Sequence, residues 1–500
     1  MKKFVKIISL ILALLMITAA FASCGKKDDG DEKGTQSSDT VAQTSNDGTT
    51  VEQTTKVPDV EVINWNGKEY RILGKLNTMW SWGNSFEVSR DEMPEDVVGK
   101  AVWNRNKDIE DNYGIKVKGF FESSYNAAAT TALDAGEDLY DLLLISPESY
   151  LNLALKGQLL DLLKLKYINT AHETWTPFIN EQFTMGGKMY YTSNKFMLQE
   201  KNRFWMLCYN RDMAKELNLG RLEEFVFNGT WTIDKAKELA KKATADNDGQ
   251  PGLGKGDRWG IGCGENYAFS HFSVAAGFRF AKIGADGYPE LLGPTDQMMA
   301  ILDKTLDFFT DKTLFWCDVQ FGPIDYNDCA NHMFYRGNML LVGSSVCELE
   351  DAKEAAEFEY GILPLVKYDE NQERYHTTPN LLNGSLLGVP ATVAEPDFAG
   401  YALELISEKS VNTSYPAFIE SRCKLQNAPD EDAAKCLDLV FNGIVYDLCF
   451  INSIGNFDTI LTSTLPSNGT NTYNRLYTRL SNGAELEIQK IRDTFSKLEY

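Results

Sequence analysis

Hydrophobic and polar positions follow two different periods in the first half of the chain, and the two periods predict its first elements. Short segments rich in apolar and aromatic residues predict three strands, at residues 70–74, 115–121 and 140–145. Apolar positions at helical spacing predict two helices between them, at residues 95–113 and 126–135. Gly114 stands where a helix commonly ends. Strands that alternate with helices indicate a mostly parallel sheet and an α/β fold.

The same patterns continue to the end of the chain. They predict further strands at residues 188–193, 203–210, 361–364 and 386–393, and a helix that turns into a strand within residues 330–346. They predict further helices at residues 150–163, 211–217, 232–244, 297–314 and 396–408, and from residue 430 onward. The predicted elements are too numerous for one compact core, so we expect two or more domains. No stretch after the N-terminal region has the apolar length of a membrane span.

The first 58 residues have a different composition. Lysines at the start precede an apolar run over residues 7–20 and the small residues Ala22 and Ser23, an order typical of a secretory signal. Residues 25–58 contain almost no apolar side chain, so we expect a disordered, flexible spacer. About 34 residues of such a spacer have a mean reach of roughly 30–35 Å.

Charge and candidate chemistry exclude several classes of function. The net charge of −22 argues against nucleic acid or anionic lipid as a partner. The four histidines show no ligand spacing, so no metal site is predicted. No nucleophile elbow, phosphate loop or marked carboxylate pair is found, so we predict no catalytic residue, no cofactor and no enzymatic activity.

Nine cysteines leave two alternatives open. An exported protein could pair the eight that follow Cys24 as disulfides. No C-x-x-C spacing occurs, and most of the eight stand beside apolar residues, which favours free, buried thiols.

The residues around Cys24 resemble the lipobox of bacterial lipoproteins. The segment reads F-A-S-C over Phe21–Cys24, with Phe21 where the lipoprotein pattern usually has Leu. The resemblance implies a signal peptide over residues 1–23 and a lipid on Cys24, the N-terminus of the mature protein. Residues 24–58 would then be a linker, and the protein would be lipid-anchored at the extracellular face of the cell membrane.

Five motifs later in the chain resemble, in the right order, the extracellular solute-binding proteins of ABC importers, in the sugar-binding group. They are G-Q-L-L-D-L from Gly157, W-M-L-C-Y-N-R-D from Trp205, N-G-T-W-T-I-D from Asn228, M-F-Y-R-G-N-M from Met333 and Y-G-I-L-P from Tyr360. The resemblance implies a periplasmic-binding-protein-like α/β fold with two lobes that close by a hinge motion. By analogy, lobe 1 spans residues 59–147 and about 386–425, and lobe 2 spans residues 148–385 and about 426–500.

The same resemblance implies a function and its partners. A monomer would bind a carbohydrate, an oligosaccharide above all, and deliver it to ABC permease subunits. Polar loops rich in Asn and Trp favour a neutral solute over an anion. Two alternatives stay open: the same fold could bind a peptide or another metabolite, or the chain could be a surface glycoside hydrolase.

Loops at strand ends supply the candidate ligand-binding residues, because ligands of open α/β sheets lie at the carboxyl ends of the strands. The candidates are Trp80, Trp82, Ser146, Glu148, Asn194, Trp231, Glu265, Asn266, Tyr267, Ser344 and Asn380. Tryptophan can stack on a sugar ring while amides and carboxylates bind its hydroxyls. Other roles stay open for several of them: each Trp could pack inside its lobe, Ser146 could cap a helix, and Asn380 could belong to a plain turn.

Overall fold

The computed structural model describes residues 41–44, 50–53, 60–78, 83–90, 92–264, 268–318, 329–379 and 384–498. The residues up to Val57 form one unit, and Pro58–Tyr500 form a second. In the first unit, strands β1 (Val41–Thr44) and β2 (Thr50–Gln53) pair antiparallel within the predicted linker. Among the described residues, no helix combines the length and the apolar character that crossing a membrane requires.

A four-stranded sheet organises the first part of the second unit. Its strands are β3 (Lys68–Lys75), β4 (Ile115–Glu122), β5 (Leu142–Ile145) and, much later in the chain, a strand at Leu386–Gly388. Strand β3 pairs parallel with both β4 and β5, whereas Leu386–Gly388 runs antiparallel to β5. We call the region around this sheet the first lobe.

Two helices connect the parallel strands, as the sequence predicts. Helix α1 (Val97–Tyr113) begins after Asp96, whose carboxylate accepts from the Gly99 N–H at 2.8 Å. It ends at Gly114, which has φ 62°, the left-handed conformation that glycine adopts without steric cost. Helix α2 (Tyr125–Asp134) leads to β5.

A five-stranded sheet organises the second lobe. In chain order its strands are β6 (Trp205–Asn210), β7 (Trp259–Cys263), β10 (Phe315–Cys317), β11 (Met339–Ser345) and β12 (Tyr360–Leu363); β8 (Ala281–Ile283) and β9 (Pro289–Leu291) form a separate hairpin, and β13 is Leu386–Gly388 of the first lobe. Strands β7 and β10 pair parallel, as do β7 and β11. Strand β6 runs antiparallel to both of its neighbours, β11 and β12.

Helices cover both sheets. In the middle of the chain they are α3 (Pro147–Leu155), α4 (Pro177–Phe183), α5 (Leu198–Lys201), α6 (Arg211–Glu216), α7 (Glu223–Phe227), α8 (Ile233–Ala243), α9 (Ala268–Ala275), α10 (Asp296–Phe309), α11 (Ala330–Tyr335) and α12 (Leu349–Ala355). The C-terminal ones are α13 (Pro396–Val411), α14 (Ser414–Pro416), α15 (Glu431–Asn442), α16 (Leu448–Ile451), α17 (Leu465–Asn468) and α18 (Tyr473–Phe495), with π-helical turns at Ala417–Gln426 and Ile460–Thr464.

Two segments of chain lead from one sheet to the other side by side. Residues 193–204 leave the first lobe, where Thr192 bridges Leu387, and enter the second at β6. The return runs through Pro379, which forms an antiparallel bridge with Phe204. The Thr377 hydroxyl donates to the Trp205 carbonyl oxygen at 2.7 Å. The two crossing segments are therefore bonded to each other where they enter the second lobe.

Several predicted elements are shorter in the structure. The helix predicted at residues 150–163 ends before Gly157, which has φ 68°. Residues 188–193 make only isolated bridges, and β13 ends at Gly388. Thr192 bridges Leu387 of β13 and Leu159 bridges Pro390 just after it, although the analogy assigns residues 148–385 to the second lobe. The lobe limits therefore stay a prediction.

The eight cysteines after Cys24 are free thiols in the structure. All are buried except Cys329, which is half-buried. Burial raises the pKa of the Cys347 thiol to about 11, so this thiol stays protonated at neutral pH.

Candidate functional site

One edge of each sheet carries polar side chains. In the first lobe, Lys75 ends β3, and Ser146 follows β5. In the second lobe, Asp318 follows β10, and Ser344 and Ser345 end β11. These are the carboxyl ends of the parallel strands, where α/β sheets bind their ligands.

Trp205 reaches the same edge of the second sheet by another route. Strand β6 runs antiparallel to β11, and Trp205 pairs with Ser345. The N-terminal end of β6 therefore lies beside the carboxyl end of β11. The indole stacks on the His271 ring of α9, with 4.3 Å between ring centroids and 20° between planes. Burial, and then the charge of Arg203, lower the pKa of His271 to about 3, so the ring is neutral at pH 7.

The Glu348 carboxylate at this edge accepts hydrogen bonds from several neighbours. One of its oxygens accepts from the Asn331 amide at 2.9 Å, and the other accepts from the Ser344 hydroxyl at 2.9 Å and the Ser345 N–H at 2.7 Å. Asp318 accepts from the indole N–H of Trp316 at 2.6 Å. Burial raises the pKa of Asp318 to about 6. These bonds fix both carboxyl groups in place, as recognition of solute hydroxyls requires.

A groove between the lobes opens beside these residues. It has a volume of about 320 Å³, and residues of both lobes line it. The first lobe contributes Phe86 and Arg90 to its lining, and the second contributes Cys347 and Asp351. Cys347 in turn accepts a hydrogen bond from Arg203, at the end of the outgoing crossing segment, at 3.0 Å.

Of the residues predicted from strand ends, Ser344 and Ser146 lie at the two sheet edges. Ser344 is bonded to Glu348, and the Ser146 N–H donates to the Asn126 amide oxygen at 3.0 Å. Glu148 is exposed and lies in a separate groove of about 490 Å³ beside the C-terminal helix α18.

Asn194 and Trp231 are both fully enclosed. The Asn194 side chain donates to the Ser407 hydroxyl at 2.9 Å and accepts from the Phe196 N–H at 2.9 Å, so it braces the first crossing segment. The Trp231 ring is 0% exposed, and its indole N–H donates to the Pro364 carbonyl oxygen at 3.0 Å. In this conformation a solute cannot reach either side chain, and Trp231 is packed in the core of the second lobe. The other predicted residues, Trp80, Trp82, Glu265, Asn266, Tyr267, Asn380 and Cys24, lie outside the described residues.

Six residues at the two sheet edges were not among those predicted from the rule that ligands bind at the carboxyl ends of strands. They are Lys75, Arg203, Trp205, His271, Asp318 and Glu348. Lys75 and Asp318 do stand at strand ends, so the rule could have found them. Arg203 and Trp205 precede a strand, and the sequence does not show that this strand runs antiparallel to its neighbours.

Two groups of side chains in the described part of the chain place possible metal ligands together. His172, Glu404 and Glu408 form one group, and Asp246, Asp248 and Asp257 form the other; within each, the candidate atoms lie within 4.8 Å of one another. Internal hydrogen bonds already use these groups. Glu404 accepts from the Trp175 indole at 2.9 Å, and Asp257 accepts from the Asn247 N–H at 2.7 Å. We assign no cation to either.

Comparison with known proteins identifies the family. Residues 105–408 match the bacterial extracellular solute-binding protein family, and the chain belongs to that family. The family predicted from the five motifs is thus confirmed. The comparison with curated proteins gave no match.

Solved structures confirm the two-lobed α/β fold. A cyclo/maltodextrin-binding protein complexed with maltotetraose is similar with a TM-score of 0.55 and 15% identity, over 84% of this chain and 97% of that one. UspC of M. tuberculosis is similar with a TM-score of 0.54 and 13% identity, over 83% and 99%. The ABC substrate-binding protein Lmo0181 of Listeria monocytogenes, in complex with cycloalternan, gives 0.53 and 17%, over 85% and 99%.

Proposed function

We propose that the chain binds an oligosaccharide between its two lobes and delivers it to an ABC permease when the lobes close. The observation that carries the proposal is the pair of polar sheet edges, joined by crossing segments, together with a groove beside Cys347 that both lobes line. Structures of similar fold contain maltotetraose or cycloalternan, which supports a carbohydrate as the solute.

The chemistry of the second-lobe edge supports the same class of solute. The Trp205 ring, 6% exposed and stacked on His271, lies at the same edge as the Ser344 hydroxyl and the Glu348 and Asp318 carboxyl groups. Sugars require this combination, because their rings have an apolar C–H face and a polar periphery. We infer binding without turnover, since the family is one of solute-binding proteins.

A thermal-shift screen across mono- and oligosaccharides tests the proposal. A bound sugar should raise the melting temperature, because it binds the folded state alone. Calorimetry on variants then locates the site. Trp205→Ala should weaken binding by about 1–3 kcal/mol, whereas the matched control Trp231→Ala should lower stability and leave affinity unchanged.

Two outcomes would contradict the proposal. No shift with any saccharide would exclude the carbohydrate class tested, and equal affinity of the Trp205→Ala variant and the wild type would exclude the second-lobe edge. Incubation with labelled oligosaccharides tests the inference of binding alone, because turnover above background would show an enzyme.

We further propose that the mature protein is a monomer held at the extracellular face of the cell membrane by lipid on Cys24, after removal of residues 1–23. The order of basic, apolar and small residues before Cys24 supports this. The tether would keep the binding protein close to its permease. In cell fractionation, a Cys24→Ala variant should leave the membrane fraction, and retention there would contradict the anchor.

A further inference from the structure

Two neighbouring strands of the second sheet end side by side at the candidate site. Strands β7 and β10 run parallel, and their last residues, Cys263 and Cys317, are paired in register. Gly264 and Asp318 are the next residues of the two strands. They therefore lie beside each other at the carboxyl-end edge, where parallel sheets bind their ligands.

The two oxygens of the Asp318 carboxyl group have different surroundings. Oδ1 accepts from the Trp316 indole N–H at 2.6 Å and from the Ala330 backbone N–H at 3.0 Å. In the part of the chain that the structure describes, Oδ2 accepts no hydrogen bond, and it is not enclosed. The carboxyl group is thus held through one oxygen and presents the other in a fixed direction.

Gly264 leaves space beside this second oxygen. A Cβ added to Gly264 would lie 3.6 Å from Asp318 Oδ2, and it would meet no other described atom within 4 Å. A glycine therefore leaves room for a solute atom at the place that a side chain would fill. A hydroxyl donating to a carboxylate needs an oxygen-to-oxygen distance of about 2.5–2.7 Å, which requires such room.

We propose that Asp318 determines which sugar unit the second lobe accepts: Oδ2 accepts a hydrogen bond from a hydroxyl of a neutral unit, and this unit binds only when the carboxyl group is ionised. The proposal rests on the proposed function and deepens it by naming the charge of the unit at this edge. An ionised carboxyl group accepts hydrogen bonds and donates none. It therefore favours a hydroxyl and repels the carboxylate of a uronic acid at the same position.

Protonation changes what Asp318 presents to the solute. Because Oδ1 already accepts two N–H donors, the proton resides on Oδ2 and converts this oxygen from an acceptor into a donor. Burial raises the pKa of Asp318 to about 6. The change from acceptor to donor therefore falls within the pH range in which binding is easily measured.

Two other titratable groups at this edge stay neutral over that range. Burial, and then the charge of Asp318, raise the pKa of the Cys329 thiol above its ordinary 9. Burial lowers the pKa of His271 to about 3. Glu348 is the other carboxyl group, and its oxygens accept from Asn331 and from the serines of β11. Comparing the wild type with a variant at Asp318 separates the titration of Asp318 from any effect of Glu348.

Calorimetry of the full chain at pH 5, 6, 7 and 8 tests the proposal. The probes are neutral oligosaccharides, maltotetraose among them, and length-matched oligomers of uronic acids. Affinity for the neutral set should follow the ionised fraction of Asp318, so it should be roughly 10-fold weaker at pH 5 than at pH 8. At pH 8 the uronic acid oligomers should bind at least roughly 10-fold more weakly than the neutral ones. These comparisons use the wild-type protein.

An Asp318→Asn variant then assigns the effect to this residue. The amide oxygen can still accept from Trp316 and Ala330, so the amide NH2 group faces the solute as a donor. Binding of neutral sugars at pH 8 should weaken roughly 10- to 100-fold, and it should no longer change between pH 5 and pH 8.

Two further variants separate the site from its surroundings. Gly264→Ala should weaken binding of neutral sugars and leave the melting temperature of the sugar-free protein unchanged, because its methyl group only fills the space beside Oδ2. The matched control is Asp307→Asn on α10, which removes an exposed carboxylate paired with Lys237 at 2.5 Å. It should bind like the wild type at each pH.

The outcomes separate this inference from the proposed function. Affinity for neutral sugars that is constant from pH 5 to pH 8, equal binding by Asp318→Asn and the wild type, or equal binding of uronic acid oligomers and neutral sugars would overturn the role of Asp318 and leave oligosaccharide binding intact. Failure of both sets of oligosaccharides to bind would overturn both.

Discussion

The carboxyl group of Glu87 gives the stability of this protein a specific pH dependence. The residue is 0% exposed in the first lobe. The neighbouring Arg105 guanidinium donates to the Glu87 backbone carbonyl oxygen at 2.7 Å. Burial raises the pKa of the Glu87 carboxyl from its ordinary 4.5 to about 7, against the opposing charges of Arg90 and Arg105. The folded state therefore binds this proton more tightly than the unfolded state does.

The sign and size of the effect follow from that difference. A raised pKa in the folded state contributes stability at low pH, and the contribution is lost as pH rises from about 4.5 to about 7. Because one pKa unit corresponds to about 1.4 kcal/mol, the loss is roughly 3 kcal/mol. Glu87→Gln removes the titration. The free energy of unfolding of the variant, minus that of the wild type, should rise by about 3 kcal/mol between pH 4 and pH 8.

Urea unfolding followed by tryptophan fluorescence measures this difference at each pH. Any constant cost of burying the glutamine amide cancels, because only the change with pH matters. Glu92→Gln, at an exposed position of the same segment, is the matched control for removing a carboxylate that is not buried. A Glu87→Gln difference that stayed constant within about 1 kcal/mol would refute the reasoning and show that the carboxyl is hydrated in the folded state.

Three further predictions concern other parts of the chain. Arg105→Ala should destabilise the first lobe by about 3–5 kcal/mol in urea unfolding, because it removes a buried guanidinium bonded to Ser410 and to backbone carbonyls; a loss below about 1 kcal/mol would contradict this. Native protein should react with a thiol reagent first at half-buried Cys329, and its melting temperature should not change with reductant, whereas a reductant-dependent loss would reveal disulfides. Intact-mass analysis of protein from cells should show a mature N-terminus at Cys24 with added lipid, and an unmodified N-terminus would exclude the tether.

Local patterns predicted most of the α/β core, because each signal lies within a few residues of the element that it describes. Helix α1 shows this clearly: its apolar spacing, Asp96 before it and Gly114 after it are all visible in the sequence. Residues 188–193 show the limit. Their local sequence predicts a strand, but they make only isolated bridges. Whether such a segment joins a sheet is decided by tertiary packing.

The candidate site was less predictable for a physical reason. Trp205 and Trp231 both stand beside polar residues in predicted loops or strand starts, yet one lies at a sheet edge and the other inside the core. Both are buried, and the direction of strand β6, which places Trp205 at the sheet edge, is not a local property. His172 lies with Glu404 and Glu408 across more than 200 positions of sequence, which no local spacing could reveal.

The bond between the two crossing segments has a consequence for affinity. Because Phe204 bridges Pro379 and Thr377 donates to the Trp205 carbonyl, the two crossing segments are coupled to each other where they enter the second lobe. The balance between open and closed forms then depends on the stiffness of these coupled segments. Apparent affinity scales with the fraction of molecules able to close. Evolution can therefore tune how tightly this protein holds its solute through residues that never touch it.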